Sequence, residues 1–354
     1  MSRSVTTKDK AILGGALAAC VVAGLSHGRT NEVIAFLCAA AALSLLAVVV
    51  GHATDHLGSR MSAGATGVLQ SALGNLPELM VCIFSLKAGL VDVVKGALIG
   101  SILANSVLVL GLAIFLGGRK NGLLKFPSDP PRMIAVLMLL ACAALIVPTL
   151  AHELHTPAEA HETSLSLVCS LVLLAVFACS LSFFLKGNEA VTPEDAKESH
   201  STWPVGFAIA VLALAGLGAA FVSEWFVAAL EPATKAMGLS QAFTGLVVVA
   251  IAGNAIENLV GIQLALKNKP DYALSVILNS SLQIALMLVP LLVLISFFVG
   301  TAPMTLVLPP MLLVALILAA VIPAWIVFDG EAIWLEGASL IGLYVLIASA
   351  FWWG

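Results

Sequence analysis

Two glutamates stand out for the chemistry they could do. Gly74-Asn75-Leu76-Pro77-Glu78 and Gly253-Asn254-Ala255-Ile256-Glu257 share the pattern GNxxE, and each lies in a long apolar run. An acid at the centre of a membrane helix costs roughly 2.5–3.5 kcal/mol on the insertion scale, so such residues are kept for a function. No lysine or arginine occurs from 62 to 86 or from 236 to 266, so neither helix offers the other's carboxylate a fixed cation. The neutralising charge is therefore expected to be mobile, either a metal ion or protons. A pair of acids for which both compete is the minimum apparatus of an exchanger, because repulsion between the emptied carboxylates favours taking up a proton once the metal leaves.

The neighbouring residues supply oxygen. Asn75 and Asn254 precede each glutamate by three residues, which puts their amides on the same helix face. Ser101 and Ser280 offer hydroxyls from the following helix, with Asn105 in the first half and Gln283 in the second. Pro77 has no N–H, which releases the Leu73 carbonyl toward a cation, and Gly74 and Gly253 let the helices bend or approach. Oxygen ligands without clustered His or Cys suit Ca²⁺, which takes about 6–8 of them, better than Zn²⁺ or copper; ligand type alone leaves Na⁺ open. The six cysteines (Cys20, Cys38, Cys82, Cys142, Cys169, Cys179) are scattered singly and read as packing residues.

Long helices must hold these groups. The 354 residues are 60% hydrophobic and 10% charged, against about 45–50% and 25% in a soluble domain, and mean hydropathy is +1.08. Apolar stretches fall near 12–26, 33–54, 62–86, 93–117, 132–151, 164–185, 204–229, 238–266, 272–299, 303–328 and 332–353. The expected fold is an all-α integral membrane protein of about eleven transmembrane helices. The first stretch follows Arg3, Lys8 and Lys10 but lacks an Ala-x-Ala cleavage site, so an uncleaved helix is expected. A net charge of −4 with dispersed basic residues excludes a nucleic-acid partner.

The two motifs are separated by an offset of 179 residues, which continues without a gap to pair Val81 with Val260, Ile83 with Ile262, Asp92 with Asp271, Ser101 with Ser280 and Leu103 with Leu282. An internal duplication explains this, each repeat holding five helices. Five is odd, so the repeats are expected to be inverted, an arrangement in which secondary transporters place their substrate site between corresponding helices near the midplane. Both glutamates fit by depth, at about 24 Å along a tilted span. The organisation read from this is a leading helix in 1–30, a first repeat in 31–186, a linker in 187–203 and a second repeat in 204–354. With the N-terminus cytoplasmic, twelve basic residues fall inside and only Arg29, Lys87, Lys95 and Lys235 outside, so the C-terminus is expected outside, in a cell (inner) membrane.

The stretches 74–111 and 253–290 resemble the two signature repeats of the calcium/proton antiporter family, within the wider cation/calcium exchanger superfamily. The resemblance implies alternating access, with Glu78 and Glu257 binding Ca²⁺ and exchanging it for protons, and with Asn75, Asn254, Ser101, Ser280 and Gln283 as supporting ligands. It implies no cofactor beyond the transported Ca²⁺ and H⁺. Na⁺, K⁺ and Mn²⁺ remain alternative cations, and homo-oligomerisation is left open. The chain departs from the usual motifs at Leu76-Pro77, at Asn258 in a histidine position and at Asn279 before Ser280, whereas Ser280-x-x-Gln283-Ile284-Ala285 matches the proton-coupled branch. A sodium-coupled calcium exchanger or a Na⁺/H⁺ antiporter is therefore the alternative.

Other polar residues have plainer readings beside functional ones. Glu224, His52 and Asp55 are candidates for a proton pathway, with His56 beside them at the cytoplasmic vestibule; the alternative for each is a headgroup-level anchor. The loop HELHTPAEAHE at 152–162 is a weak metal-attracting patch or a solvated outer loop, and Glu189, Glu194, Asp195 and Glu198 belong to a charged linker. Gly96-x-x-x-Gly100 reads as close packing inside the subunit. A cation channel is set aside because channels line their pores with symmetric rings. An intramembrane enzyme is set aside for want of an HExxH or a GxSxG nucleophile elbow.

Overall fold

The computed structural model describes residues 5–58, 73–186 and 203–352. The start of the stretch at 62–86 and nearly all of the linker, with its acids, lie outside the described residues, as do the side chains of Asp55 and Glu257.

Helix α1 (Thr7–Ser26) opens on a capping box: the Thr6 hydroxyl accepts from the Asp9 N–H and the Asp9 carboxylate accepts from the Thr6 N–H. It is followed by α2 (Glu32–Gly58) and α3 (Leu76–Lys87). Pro77 sits in the first turn of α3, where a missing N–H costs little. Helix α4 (Val91–Asn121) contains a π-helical segment at Ala104–Val109. Then come β1 (Leu124–Lys125), α5 (Asp129–Glu153), a 3₁₀ turn (Pro157–His161), α6 (Glu162–Lys186) and α7 (Val205–Met237). Gly238 closes α7 in the left-handed region, at φ 67°. The second motif lies between α8 (Gln241–Gly253) and α9 (Ala255–Leu266), and α10 (Pro270–Ser296), α11 (Pro310–Ile326), β2 (Glu331–Ala332) and α12 (Trp334–Trp352) complete the chain. Strands β1 and β2 pair antiparallel.

Each of the eleven apolar stretches contains a helix. Among the described residues, eight helices are long and apolar enough to cross a membrane, or nine if α8 and α9 form one bent span. The sequence offset reappears in the backbone: moving Leu76–Lys87 along by 179 residues gives Ala255–Leu266, the bounds of α9. The π segment Ala104–Val109, moved by the same offset to 283–288, covers the one at Ile284–Leu288, which is one residue shorter at its start.

The chain divides into two compact units, each drawing on both halves of the sequence. One comprises Met1–Phe84, Ala178–Gly238 and Ala252–Ile256. Here α2 lies along α7, with Phe36 stacked on Phe226 at 4.8 Å and the Trp225 ring over Gly24. The outer face of α7 exposes Leu214, Leu217 and Phe221, as a lipid-facing helix should.

The other unit comprises Ser85–Phe177, Leu239–Ile251 and Glu257–Gly354. Its core is α4, buried on nearly every side from Val93 to Leu103. Gly96 and Gly100 face the α8 backbone at Ala242, Gly245 and Leu246, so the GxxxG is an internal packing seam. Gly111 does the same against Gly337 and Leu340 of α12. Before α11 the chain runs without helix through apolar surroundings, and side chains satisfy its backbone: the Met304, Leu306 and Leu308 N–H groups donate to Ser296, Ser166 and Thr149, and Lys95 donates to the Val307 carbonyl at 2.6 Å. Lys95, the lysine near the first motif's following helix, is thus committed to a loop carbonyl.

Candidate cation site

Both motifs break their helices. Leu73 is helical, Gly74 and Asn75 form a turn, and α3 restarts at Leu76. In the second motif Asn254 is the turn residue between α8 and α9, and the flanking helical segments are bent by 63°. Each glutamate is consequently the third residue of a new helix.

In the first unit these breaks bring residues of both motifs together. Glu78 is 1% exposed, Asn75 5% and Asn254 0%. A Cβ built on Gly253 would sit 3.5 Å from Glu78 Cβ and 3.9 Å from its carboxylate carbon, so the acid of the first motif packs on the glycine of the second. The Ala252 carbonyl beside it accepts from Ser44 Oγ at 3.1 Å. Ser44 escaped sequence reading, since a hydroxyl 208 residues away from its partner leaves no local mark. Among the described residues no lysine or arginine is buried, and Glu78 and Asp9 are the two buried acids.

The second unit holds the serine and amide candidates. Asn105 Nδ2 donates to Ser280 Oγ at 2.9 Å, joining the helices that follow the two motifs. Ser101 is fully buried, Ser280 nearly so and Gln283 half-buried. Asn105 lies in one π segment and Gln283 immediately precedes another, a distortion frequent at functional sites because it redirects a side chain and loosens backbone carbonyls. Nothing in the periodicity of the sequence marked these segments.

The remaining candidates fall elsewhere. Glu224 is exposed on α7, about 28 Å from its start at Val205, a depth close to the thickness of a hydrocarbon core. His52 Nε2 meets Asp9 Oδ1 at 2.8 Å, a partner that sequence reading did not single out. The pattern Thr6-x-x-Asp9 was the legible sign of an anchored acid there. In the loop at 152–162, His152 Nδ1 lies 2.6 Å from Glu162 Oε1 and 3.7 Å from Glu159 Oε1. One sequence expectation needs correction: Gly24-Leu25-Ser26-His27-Gly28 does spell GxSxG. Ser26 ends α1 and donates to the Ala23 carbonyl at 2.8 Å, whereas a nucleophile elbow needs a strand-to-helix turn, so the match has no catalytic geometry. All six cysteines are free.

Comparison with known proteins gives a consistent picture. The model of the sodium/calcium exchanger protein family matches residues 31–186 and 207–353. A Ca²⁺/H⁺ antiporter of Synechocystis sp. is 35% identical over 345 residues, covering 91% of each chain. The Ca²⁺/H⁺ antiporter ChaA of Bacillus subtilis is 32% identical, covering 94% of this chain and 95% of its own. Among solved structures, native YfkE superposes with a TM-score of 0.81 at 30% identity, over 96% of this chain and 98% of that one. Matches of this extent bear out the resemblance carried by the two GNxxE repeats, and the chain belongs to the sodium/calcium exchanger protein family.

Proposed function

We propose that the protein is a secondary antiporter that exchanges Ca²⁺ for H⁺ by alternating access, with Glu78 and Glu257 binding cation and proton in turn. The observation that carries this reading is the burial of Glu78 against Gly253, flanked by the buried amides of Asn75 and Asn254. A carboxylate so placed needs positive charge when ionised, and hard oxygen donors suit Ca²⁺. The printed names of the Synechocystis and Bacillus relatives, Ca²⁺/H⁺ antiporters, support the same choice. Ser101, Ser280, Gln283 and Asn105 are the supporting ligands, and the Leu73 carbonyl is released by Pro77. Glu224, His52 and Asp55 are proposed for the proton route.

The organisation proposed with it is a leading helix in 1–30, inverted five-helix repeats in 31–186 and 204–354, and a cytoplasmic linker in 187–203, with the N-terminus inside and the C-terminus outside a cell membrane. In everted vesicles, an imposed pH gradient should drive Ca²⁺ uptake, and Glu78→Gln or Glu257→Gln should each abolish it. Normal transport by both variants overturns the site. Uptake driven by a Na⁺ gradient alone would transfer the coupling to Na⁺, for which the loss of a titratable group at Asn258 speaks. Flux that never runs uphill would make the protein a channel.

A further inference from the structure

At one end of α1 and α2, away from both GNxxE motifs in sequence, three ligand-type side chains converge: Asp9, His52 and His56 each offer an atom within 4.8 Å of the other two. Asp9 is 3% exposed. Its two oxygens have separate duties. Oδ2 accepts from the Thr6 N–H at 2.8 Å and from Trp203 Nε1 at 2.9 Å, and Oδ1 is left facing His52 Nε2 at 2.8 Å. The imidazoles are held as well. His56 stacks on Trp203 at 4.4 Å with an interplanar angle of 18°, and His52 meets both rings edge-on at 4.8 and 5.5 Å. Phe207 meets the indole edge-on at 5.1 Å.

We infer that Asp9, His52 and His56 form a binding site for a zinc-class divalent cation, chemically separate from the hard-cation chemistry of the glutamates. Two imidazoles and a carboxylate match the preference of Zn²⁺ and its transition-metal neighbours, and Ca²⁺ takes such nitrogen donors poorly. The carboxylate already has the outer hydrogen bonds that orient a metal ligand, because Trp203 and Thr6 fix Oδ2 and so aim Oδ1. Tetrahedral bonds of about 2.0–2.2 Å place ligand atoms about 3.3–3.6 Å apart, so the His52–Asp9 pair, now 2.8 Å apart, opens by roughly half an ångström or a little more, and His56, within 4.8 Å of both, closes in by up to about 1.5 Å. The His52 side chain is 26% exposed, which gives the ion an entry and leaves a position for water. A bound ion would tie the start of α1 to the end of α2 and, through Trp203, to the residues leading into α7.

The test uses the purified full-length chain in detergent, titrated with Co²⁺ and then Zn²⁺. One Co²⁺ per chain is expected, with visible ligand-field absorption and quenching of tryptophan fluorescence, displaced by Zn²⁺ but not by about a hundredfold excess of Ca²⁺. His52→Gln and His56→Gln should each weaken binding by about tenfold or more, whereas His152→Gln, which removes the other histidine-carboxylate cluster, should leave it unchanged. His56→Cys should retain the metal and add a thiolate charge-transfer band. Cu²⁺ in the unmodified chain should show electron-spin coupling to two imidazole nitrogens, a reading that needs no variant to fold. Unchanged isotherms in both glutamine variants, displacement by Ca²⁺, or a Cu²⁺ spectrum without nitrogen coupling would each overturn the site. Retention of Co²⁺ binding by Glu78→Gln keeps the outcome distinct from that of the exchange site.

Discussion

Replacing Gly100 by alanine tests how the structure positions Ser101 and Asn105. A Cβ added at Gly100 would overlap the backbone of Leu246, reaching 2.5 Å from its Cα. Ordinary carbon contacts begin near 3.5 Å, so α4 and α8 must part by about 1 Å. The obstacle is backbone, which has no rotamer to change, and a Cβ on the facing Gly245 would likewise meet the Val93 carbonyl oxygen at 2.7 Å and the Ala97 nitrogen at 3.1 Å. Overpacking of this kind costs about 1–3 kcal/mol. Four residues away, a Cβ on Gly96 would meet nothing nearer than 3.4 Å, so Gly96→Ala should be close to neutral or gain slightly from helix propensity. Thermal unfolding in detergent, followed by loss of the monodisperse chromatographic peak, should show Gly100→Ala lowered by about 2–5 °C and Gly96→Ala unmoved. Ca²⁺ uptake should fall with Gly100→Ala alone, because the residue after it is a proposed ligand. Equal behaviour of the two variants, or a larger loss at Gly96, would refute the claim that backbone contact at Gly100 sets the distance between α4 and α8.

Two further outcomes follow from the site chemistry. Asn105→Ala strips the buried Ser280 hydroxyl of its 2.9 Å donor and should cost about 1–3 kcal/mol; Ser280→Ala should cost a similar amount, and a denaturant-titrated double-mutant cycle should show coupling of about 0.5–1.5 kcal/mol, additivity counting against the bond. Apparent Ca²⁺ affinity should rise with pH, since protons occupy the carboxylates that the metal requires ionised, by up to about tenfold per pH unit for each proton displaced; a flat profile across the operating range would sink proton competition.

The parts of the fold that sequence could disclose are those governed by local pattern. Apolar runs of membrane length announced the helices, and the offset of 179 between the motifs relates α3 to α9, although neither helix start was legible within the stretches 62–86 and 238–266. Gly96 and Gly100 were legible because small residues four apart have few other uses in a membrane helix. The π segments were not legible, since one extra residue in a helical turn leaves a uniformly apolar run looking the same. Nor was the bond between Trp203 and Asp9, 194 residues apart, or the strapping of residues 304–308 by Ser296, Thr149, Ser166 and Lys95. Those contacts depend on which helices become neighbours, and composition says nothing about neighbours. Sequence reading also placed the carboxylates by counting residues into a continuous span, and the turns at Gly74–Asn75 and Asn254 change what that position means.

Because each span restarts at its motif, Glu78 and Glu257 occupy the first turn of a helix, where the macrodipole favours an ionised acid. That effect is worth about 0.3–1 kcal/mol at exposed sites and up to about 2 in partly buried ones. The insertion cost of a central acid is about 2.5–3.5 kcal/mol. The dipole therefore offsets part of the cost, and on the proposed reading a bound cation or proton offsets more of it. A full basic counter-charge would over-stabilise the empty carboxylate and weaken its hold on any visitor, and no compensation at all would keep it protonated and closed to Ca²⁺. In the proposed exchange, partial compensation would hold the acid between those limits, so that modest changes in proton or metal concentration on either side of the membrane would decide which of the two it carries. On the proposed reading, the glycine-asparagine break is thus an electrostatic device as much as a hinge, and it recurs at both motifs because both acids face the same requirement.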